Sequence, residues 1–251
     1  MDIEKNNTTE KIRVVDFRKT FGSRAVHSGV SFTLYKGECL GLVGGSGTGK
    51  SVLLRSLIGL ESPDSGQIFF DGSELTGISE DEWVPIRKRI AYVFQDGALF
   101  DSMTVFENLA YPLLEHSNLS EEEIKVRIKK QLDEFGLSHS EDLLPASLSG
   151  GMQKRVGLAR AMMLDPEVVL YDEPTAGLDP FNTKKIQDSI LKLKQHGMTS
   201  ILVTHDMPTA LAVCERIMFL KDGKIVEELA TNIIPREQDS QLFQFIQGEV
   251  P

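Results

Sequence analysis

A chain of 251 residues with 41% hydrophobic content is long enough for one substantial core, alone or with a smaller sub-domain. Its 27 basic residues against 37 acidic ones leave a net charge of −10, which argues against a nucleic-acid partner, because neutralising phosphates needs a basic face. No apolar run approaches the ~20 residues of a membrane-spanning helix, so the chain reads as soluble, and any membrane role has to pass through a partner.

Residues 1–10 are polar and acidic, lack the apolar stretch of a signal peptide, and read as a disordered arm. A strand is predicted over 12–17 and a half-buried strand over 30–35, where apolar and polar residues alternate. With the turn at Lys36-Gly37 they suggest a small antiparallel layer ahead of the main sheet. Phe21, beside Gly22, is an aromatic that either joins the core, the commoner fate of a phenylalanine, or stacks on a ligand's ring.

Residues 38–43 form a short apolar strand, and the stretch Gly44-Gly45-Ser46-Gly47-Thr48-Gly49-Lys50-Ser51 follows it directly. Every fixed position of the phosphate-loop pattern G-x-x-x-x-G-K-[ST] is filled. A helix is predicted over 51–58, with Val52 in its first turn and Gly59 as its stop. Glycines let the backbone curl so that successive N–H groups converge on an anion, and the helix N-terminus adds its dipole. Lys50 is then placed for the β- and γ-phosphates of a nucleotide and Ser51 for Mg²⁺. A flexible Gly/Ser linker needs neither the Lys-Ser pair nor the flanking strand and helix.

Further strands are predicted over 67–70, after the turn Pro63-Asp64-Ser65-Gly66, and over 90–94, which Gln95 ends. Ile124, Ile128, Leu132 and Phe135 share one face of a helix over 120–135, opened by a Ser120/Glu123 capping box. Leu148-Ser149-Gly150-Gly151 precedes a helix over 152–164 that Asp165-Pro166 stops. A buried strand over 167–171 ends in Asp172-Glu173. A helix over 181–194 leads to a strand over 199–204 that ends in His205-Asp206, and a hairpin joins 216–220 to 224–229. A last helix covers about 239–247. Cys39 and Cys214 each lie in an apolar segment and read as two buried free thiols in a reducing compartment.

The predicted class is therefore α/β: a mainly parallel sheet around a phosphate loop, an antiparallel β layer, and a helical sub-domain over about 96–164. One domain is expected over 11–236, followed by a helix and tail over 237–251.

Ligands of open α/β sheets bind beyond the C-terminal strand ends. Because neighbours on a strand point to opposite sides, Asp172 is expected toward Mg²⁺ and Glu173 toward the γ-phosphate, as general base for water. Without the phosphate loop, the same acids read equally well as a turn. His205 is placed to bond the γ-phosphate or to hold Glu173, although a lone strand-end histidine is usually structural. Gln95 bridges Mg²⁺ and water, or is merely solvated. The glycines after Ser149 form a second anion site or a plain helix cap. If an anion site, it is expected to serve a nucleotide held by a second copy, because it lies in the inserted helical block.

These residues together resemble the ATP-binding cassette (ABC) transporter ATPase subunits over about residues 12–230. In order come an A-loop aromatic (Phe21), the phosphate loop, the Q-loop (Gln95), the signature Leu148-Ser149-Gly150-Gly151, the acids Asp172 and Glu173, the D-loop Gly177-Leu178-Asp179-Pro180 and the switch His205. The usual signature continues with Gln; here Met152 stands there, with the Ser-Gly-Gly core kept. The resemblance implies an ATPase that uses ATP and Mg²⁺, with Ser51, Gln95 and Asp172 on the metal and Glu173, His205 and Gln95 at the reacting phosphate. It implies nucleotide contacts from Phe21, the loop Gly44 to Ser51, Val52, and Ser149, Gly150 and Gly151. Two copies would close head to tail on two nucleotides.

Ser-Gly-Gly-Met-Gln-Lys-Arg and the segments Gly97 to Val105 and Asn108 to Leu113 are similar to the Mla-type ATPases, which energise phospholipid traffic with a permease and an MCE protein. That similarity implies a peripheral subunit on the cytoplasmic face of the inner membrane, a permease docking near Gln95 to Val105, an MCE-type lipid-binding partner, and no nucleic acid. The chain is expected to lack the large C-terminal regulatory domain of sugar-importer ATPases. An amino-acid importer ATPase is the alternative within the class. A soluble ABC protein acting on ribosomes or DNA is the alternative outside it, disfavoured by one cassette and acidic charge.

Overall fold

The structure, a computed structural model, describes residues 9–249. Its strands are β1 (Glu10–Phe21), β2 (Arg24–Tyr35), β3 (Cys39–Val43), β4 (Ser65–Phe70), β5 (Ser73–Glu74), β6 (Ile90–Val93), β7 (Val168–Asp172), β8 (Thr199–Val203), β9 (Arg216–Lys221) and β10 (Lys224–Ala230). The helices are α1 (Lys50–Ser56), α2 (Glu80–Arg89), α3 (Val105–His116), α4 (Glu121–Glu134), α5 (Gly150–Ala161), α6 (Pro180–Gln195), α7 (Met207–Val213) and α8 (Gln241–Gln247).

Two sheets stack. The first is antiparallel, in the order β2-β1-β4-β5; the second runs β10-β9-β3-β8-β7-β6 and is parallel except for β10 at its edge. The sequence explains the difference. β3, β7 and β8 are buried at every position, as strands covered on both faces must be. Along β3, Leu40 and Leu42 enter the core between the sheets with Phe17, Leu34 and Leu53. Cys39 and Val43 enter a second core on the opposite face, with Leu109, Ile128 and Val156 from the helices. This is the two-residue period of a strand read out as two cores.

Between β6 and β7 every regular element is helical. The Ser120/Glu123 capping box is formed at the start of α4, and Ile124, Ile128 and Leu132 are its buried positions. Matching boxes open two helices absent from the sequence reading: Ser79/Glu82 before α2 and Thr104/Glu107 before α3. Each carries an interior proline, Pro85 or Pro112, which breaks the pattern that signals a helix.

Several boundaries differ from the sequence reading. The expected arm lies outside the described residues except Thr9 and Glu10, and Glu10 already pairs with Tyr35. β1 and β2 are 12 residues each, about twice the predicted length, because register shifts carry the pairing past bulged positions such as Asp16. α5 starts at Gly150 rather than at Met152, and α8 starts at Gln241 with Ser240 as its cap. Among the described residues no helix is long and apolar enough to cross a membrane.

Candidate active site

The order β3-β8-β7-β6 sets four strand ends side by side on one edge. β3 runs into the phosphate loop, β8 into His205, β7 into Glu173 and β6 into Gln95. They border a cleft of about 420 Å³ whose walls are Phe21, Arg24, Val26, Gly44, Ser46, Gly47, Gly49, Lys50, Ser51, Val52, Gln95, Glu173 and His205. Residues spread from 21 to 205 are thus brought together by sheet topology.

The phosphate loop has little freedom. A Cβ on Gly44 would lie 2.3 Å from the carbonyl oxygen of Leu220 in β9. Gly49 has φ 97°, caps α1 without any side-chain hydrogen bond, and leaves 2.4 Å between a built Cβ and Val26. Only glycine fits either place. The Lys50 ammonium donates to the carbonyls of Gly44 and Gly45, both at 2.9 Å. Thr48 Oγ1 donates to the Gly45 carbonyl at 2.9 Å, so Gly45 and Thr48 brace the loop rather than line the cleft. Lys50 is buried, which lowers its pKa, while Glu173 and Asp172 pull it back toward the charged form.

The two acids separate by a different route from strand alternation. Asp172 is the last residue of β7, buried, and accepts from Ser51 Oγ at 2.7 Å and from the Tyr92 hydroxyl at 2.6 Å. Glu173 has left the strand with φ 51°, in the left-handed region, and its N–H donates to the Val203 carbonyl at 2.9 Å. That turn swings its carboxylate into the cleft. There Glu173 Oε2 meets His205 Nδ1 at 2.8 Å and accepts from the His205 backbone N–H at 3.3 Å. Phe21 is not a core residue: it is 45% exposed at the cleft wall, with the Lys19 ammonium 5.0 Å from its ring centre.

Ser149, Gly150 and Gly151 are not among the cleft walls. They form the head of α5, where the Ser149 hydroxyl accepts from the Met152 N–H at 3.3 Å, and Ser149 and Gly150 are exposed. Gly151 is covered by Asn182, whose Oδ1 lies 2.3 Å from where a Cβ would stand.

Sequence reading missed Arg24, Val26 and Tyr92. Arg24 Nη2 donates to the Gly47 carbonyl at 3.0 Å, clasping the phosphate loop from β2. Tyr92 left one signal, a hydroxyl inside an otherwise apolar strand. Burial and its bond to Asp172 push that hydroxyl's pKa up, so it stays protonated and donates. The two cysteines are buried free thiols, with sulfurs 3.6 Å apart.

A family model described as ABC transporter matches residues 27–176. The chain belongs to the ABC transporter family. It is an ATPase of that family, an α/β phosphate-loop cassette. It is 36% identical over 239 residues to the intermembrane phospholipid transport system ATP-binding protein MlaF of Escherichia coli (strain K12), covering 94% of this cassette and 89% of that protein. It is 41% identical over 220 residues to the methionine import ATP-binding protein MetN of Rhizobium johnstonii, covering 87% of this cassette; the chain spans 60% of MetN's length. Among solved structures, the dimeric post-hydrolysis state of the cassette MJ0796 bound to ADP and Pi superposes with a TM-score of 0.81, at 32% identity over 88% of this chain and 98% of that one.

Proposed function

We propose that two copies of this cassette close on two ATP molecules and power phospholipid transport between inner and outer membrane, together with an integral permease and an MCE-type lipid-binding protein. The cassette would sit at the cytoplasmic face of the inner membrane. The observation that carries the ATPase half of this reading is the Glu173–His205 pair beside Lys50 in one cleft. The similarity to MlaF along 94% of the chain supports the lipid half.

Lys50 and the loop N–H groups hold the β- and γ-phosphates, and Phe21 offers its exposed ring to the adenine. Glu173 takes the proton of the attacking water, and His205 fixes the carboxylate through Oε2. The donor set near Ser51 suits Mg²⁺: a hydroxyl and one carboxylate 2.7 Å apart, with Gln95 on the same cleft, all hard oxygens. Bound there, Mg²⁺ would neutralise phosphate charge. Ser51, Asp172 and Gln95 would hold it, and Tyr92 would keep Asp172 oriented. Outer-shell partners of this kind are worth about 10–100-fold in metal affinity. Tyr92→Phe should therefore raise the Mg²⁺ needed for half-maximal nucleotide retention by about tenfold. An unchanged Mg²⁺ requirement in an equilibrium binding titration would remove Tyr92 from that role.

The head of α5, where Ser149 and Gly150 are exposed and Gly151 lies against Asn182, is absent from its own chain's cleft and supplies the γ-phosphate contacts of the other copy. The permease docks in a second cleft of about 450 Å³ that includes Ala98 and Phe100 and borders the Q-loop. Phe94, Phe100 and Tyr111 are 39%, 42% and 41% exposed there, an apolar patch suited to a partner helix.

The MetN relative favours a second reading, a small-molecule importer. Purifying the cassette from detergent-solubilised membranes and identifying its permease and bound lipid by mass spectrometry separates the two. A permease with an MCE protein and phospholipid supports the first reading; an importer permease answering to methionine contradicts it.

A further inference from the structure

α5 does more than present the signature residues at its tip. One turn further along, on the same helical face as Gly151, stands Lys154. It is 9% exposed, and its ammonium donates to the Ala176 carbonyl at 2.5 Å. Ala176 belongs to the turn that begins at the catalytic carboxylate: its N–H donates to the Glu173 carbonyl at 3.1 Å, and the Leu178 N–H donates to the Thr175 carbonyl at 3.2 Å. Burial lowers the pKa of Lys154, and two carboxylates, Asp96 next to Gln95 and Glu173, pull it back toward the charged form.

A second contact joins the same two pieces. Asp179 caps α6 through the Asn182 N–H at 3.0 Å, and Asn182 lies flush against Gly151. The head of α5 therefore touches the 173–182 segment twice, once by packing and once by a buried ammonium. Farther down α5, Gly157 meets the Gly97 backbone, with 2.8 Å to a built Cβ, and Arg160 Nη2 donates to the Ala98 carbonyl at 2.8 Å. One helix thus grips both the Glu173 loop and the segment after Gln95.

The geometry points to Lys154 as the positioning residue that couples the two ATP sites of a pair. This rests on the proposed composite site, in which the α5 head of one copy meets the nucleotide of the other. Engagement of Ser149–Gly151 at the neighbour's γ-phosphate then shifts, through Lys154 and Ala176, the loop that carries Glu173 at the chain's own nucleotide. The ammonium touches no nucleotide. It makes the occupancy of one site a condition for correct placement of the base at the other.

Steady-state ATP hydrolysis by the full cassette assembled with its permease tests this. With two sites the Hill coefficient has a ceiling of about 2. The wild type should lie clearly above 1. Lys154→Met should bring it to about 1 and lower turnover, with the half-saturating ATP concentration little changed. Lys154→Arg, which keeps a charged donor, should recover cooperativity. Lys154→Gln serves as the second loss variant should Met fail to fold. A wild-type coefficient of 1, or a Lys154→Met enzyme as cooperative as wild type, overturns the proposal. The underlying composite-site reading is checked separately by ATP-dependent pairing of Glu173→Gln chains with Lys154 intact. The double variant with Lys154→Met must still pair; loss of pairing would make Lys154 a plain interface or folding residue and end the coupling claim.

Discussion

Replacing Glu173 with glutamine lowers ATP turnover by about 10²–10⁴-fold, the usual worth of a positioned general base, and leaves ATP affinity intact. The geometry explains both halves of that outcome. Glutamine keeps the size and an acceptor oxygen for His205, so the cleft and its Nδ1 contact at 2.8 Å survive. What disappears is the capacity to accept a proton. The groups proposed to bind phosphate, Lys50 and the N–H donors of the loop between β3 and α1, are held by Lys50's bonds to the Gly44 and Gly45 carbonyls and not by that carboxylate. Single-turnover hydrolysis alongside equilibrium ATP binding separates the two effects. A variant that hydrolyses at wild-type speed would take the base role from Glu173.

Lys50→Ala has the second large effect, on binding. A hydrogen bond to a charged group contributes about 1.5–3 kcal/mol, and each 1.4 kcal/mol is tenfold, so affinity for ATP should fall about 10–100-fold. The buried setting of Lys50, inside the loop and close to two carboxylates, places the expected loss toward the upper end. Removing the ammonium also frees the Gly44 and Gly45 carbonyls that it ties together, so the loop itself loosens. Titration with a fluorescent ATP analogue measures the loss, and a melting curve taken without nucleotide reports on the loop. Wild-type affinity in this variant would contradict the assignment of the phosphate loop.

The phosphate loop could be read from the sequence because its glycines, lysine and serine are contiguous and sit between a short apolar strand and a helix. Strands β3, β7 and β8 were legible for a related reason: each contains an apolar run that ends abruptly at glycines or polar residues. What could not be read depends on contacts between distant segments. Arg24 reaches Gly47 only because the antiparallel sheet lies over the loop, and Tyr92 reaches Asp172 only because β6 pairs with β7 in that register. Strand alternation, the rule the sequence offers for the acid pair, does not divide Asp172 from Glu173; a left-handed residue just past the strand end does. Helices α2 and α3 are masked in the sequence because Pro85 and Pro112 interrupt their pattern, although their capping boxes stand there.

Half of each ATP site is proposed to come from a second copy, and the mass of the Glu173→Gln cassette in solution tests that most directly. Multi-angle light scattering should give the monomer without nucleotide, twice that mass with ATP and Mg²⁺, and the monomer again when Lys50→Ala is added. A cassette that stays monomeric while it binds ATP, and whose wild-type form hydrolyses ATP at full speed as a monomer, would contradict the account.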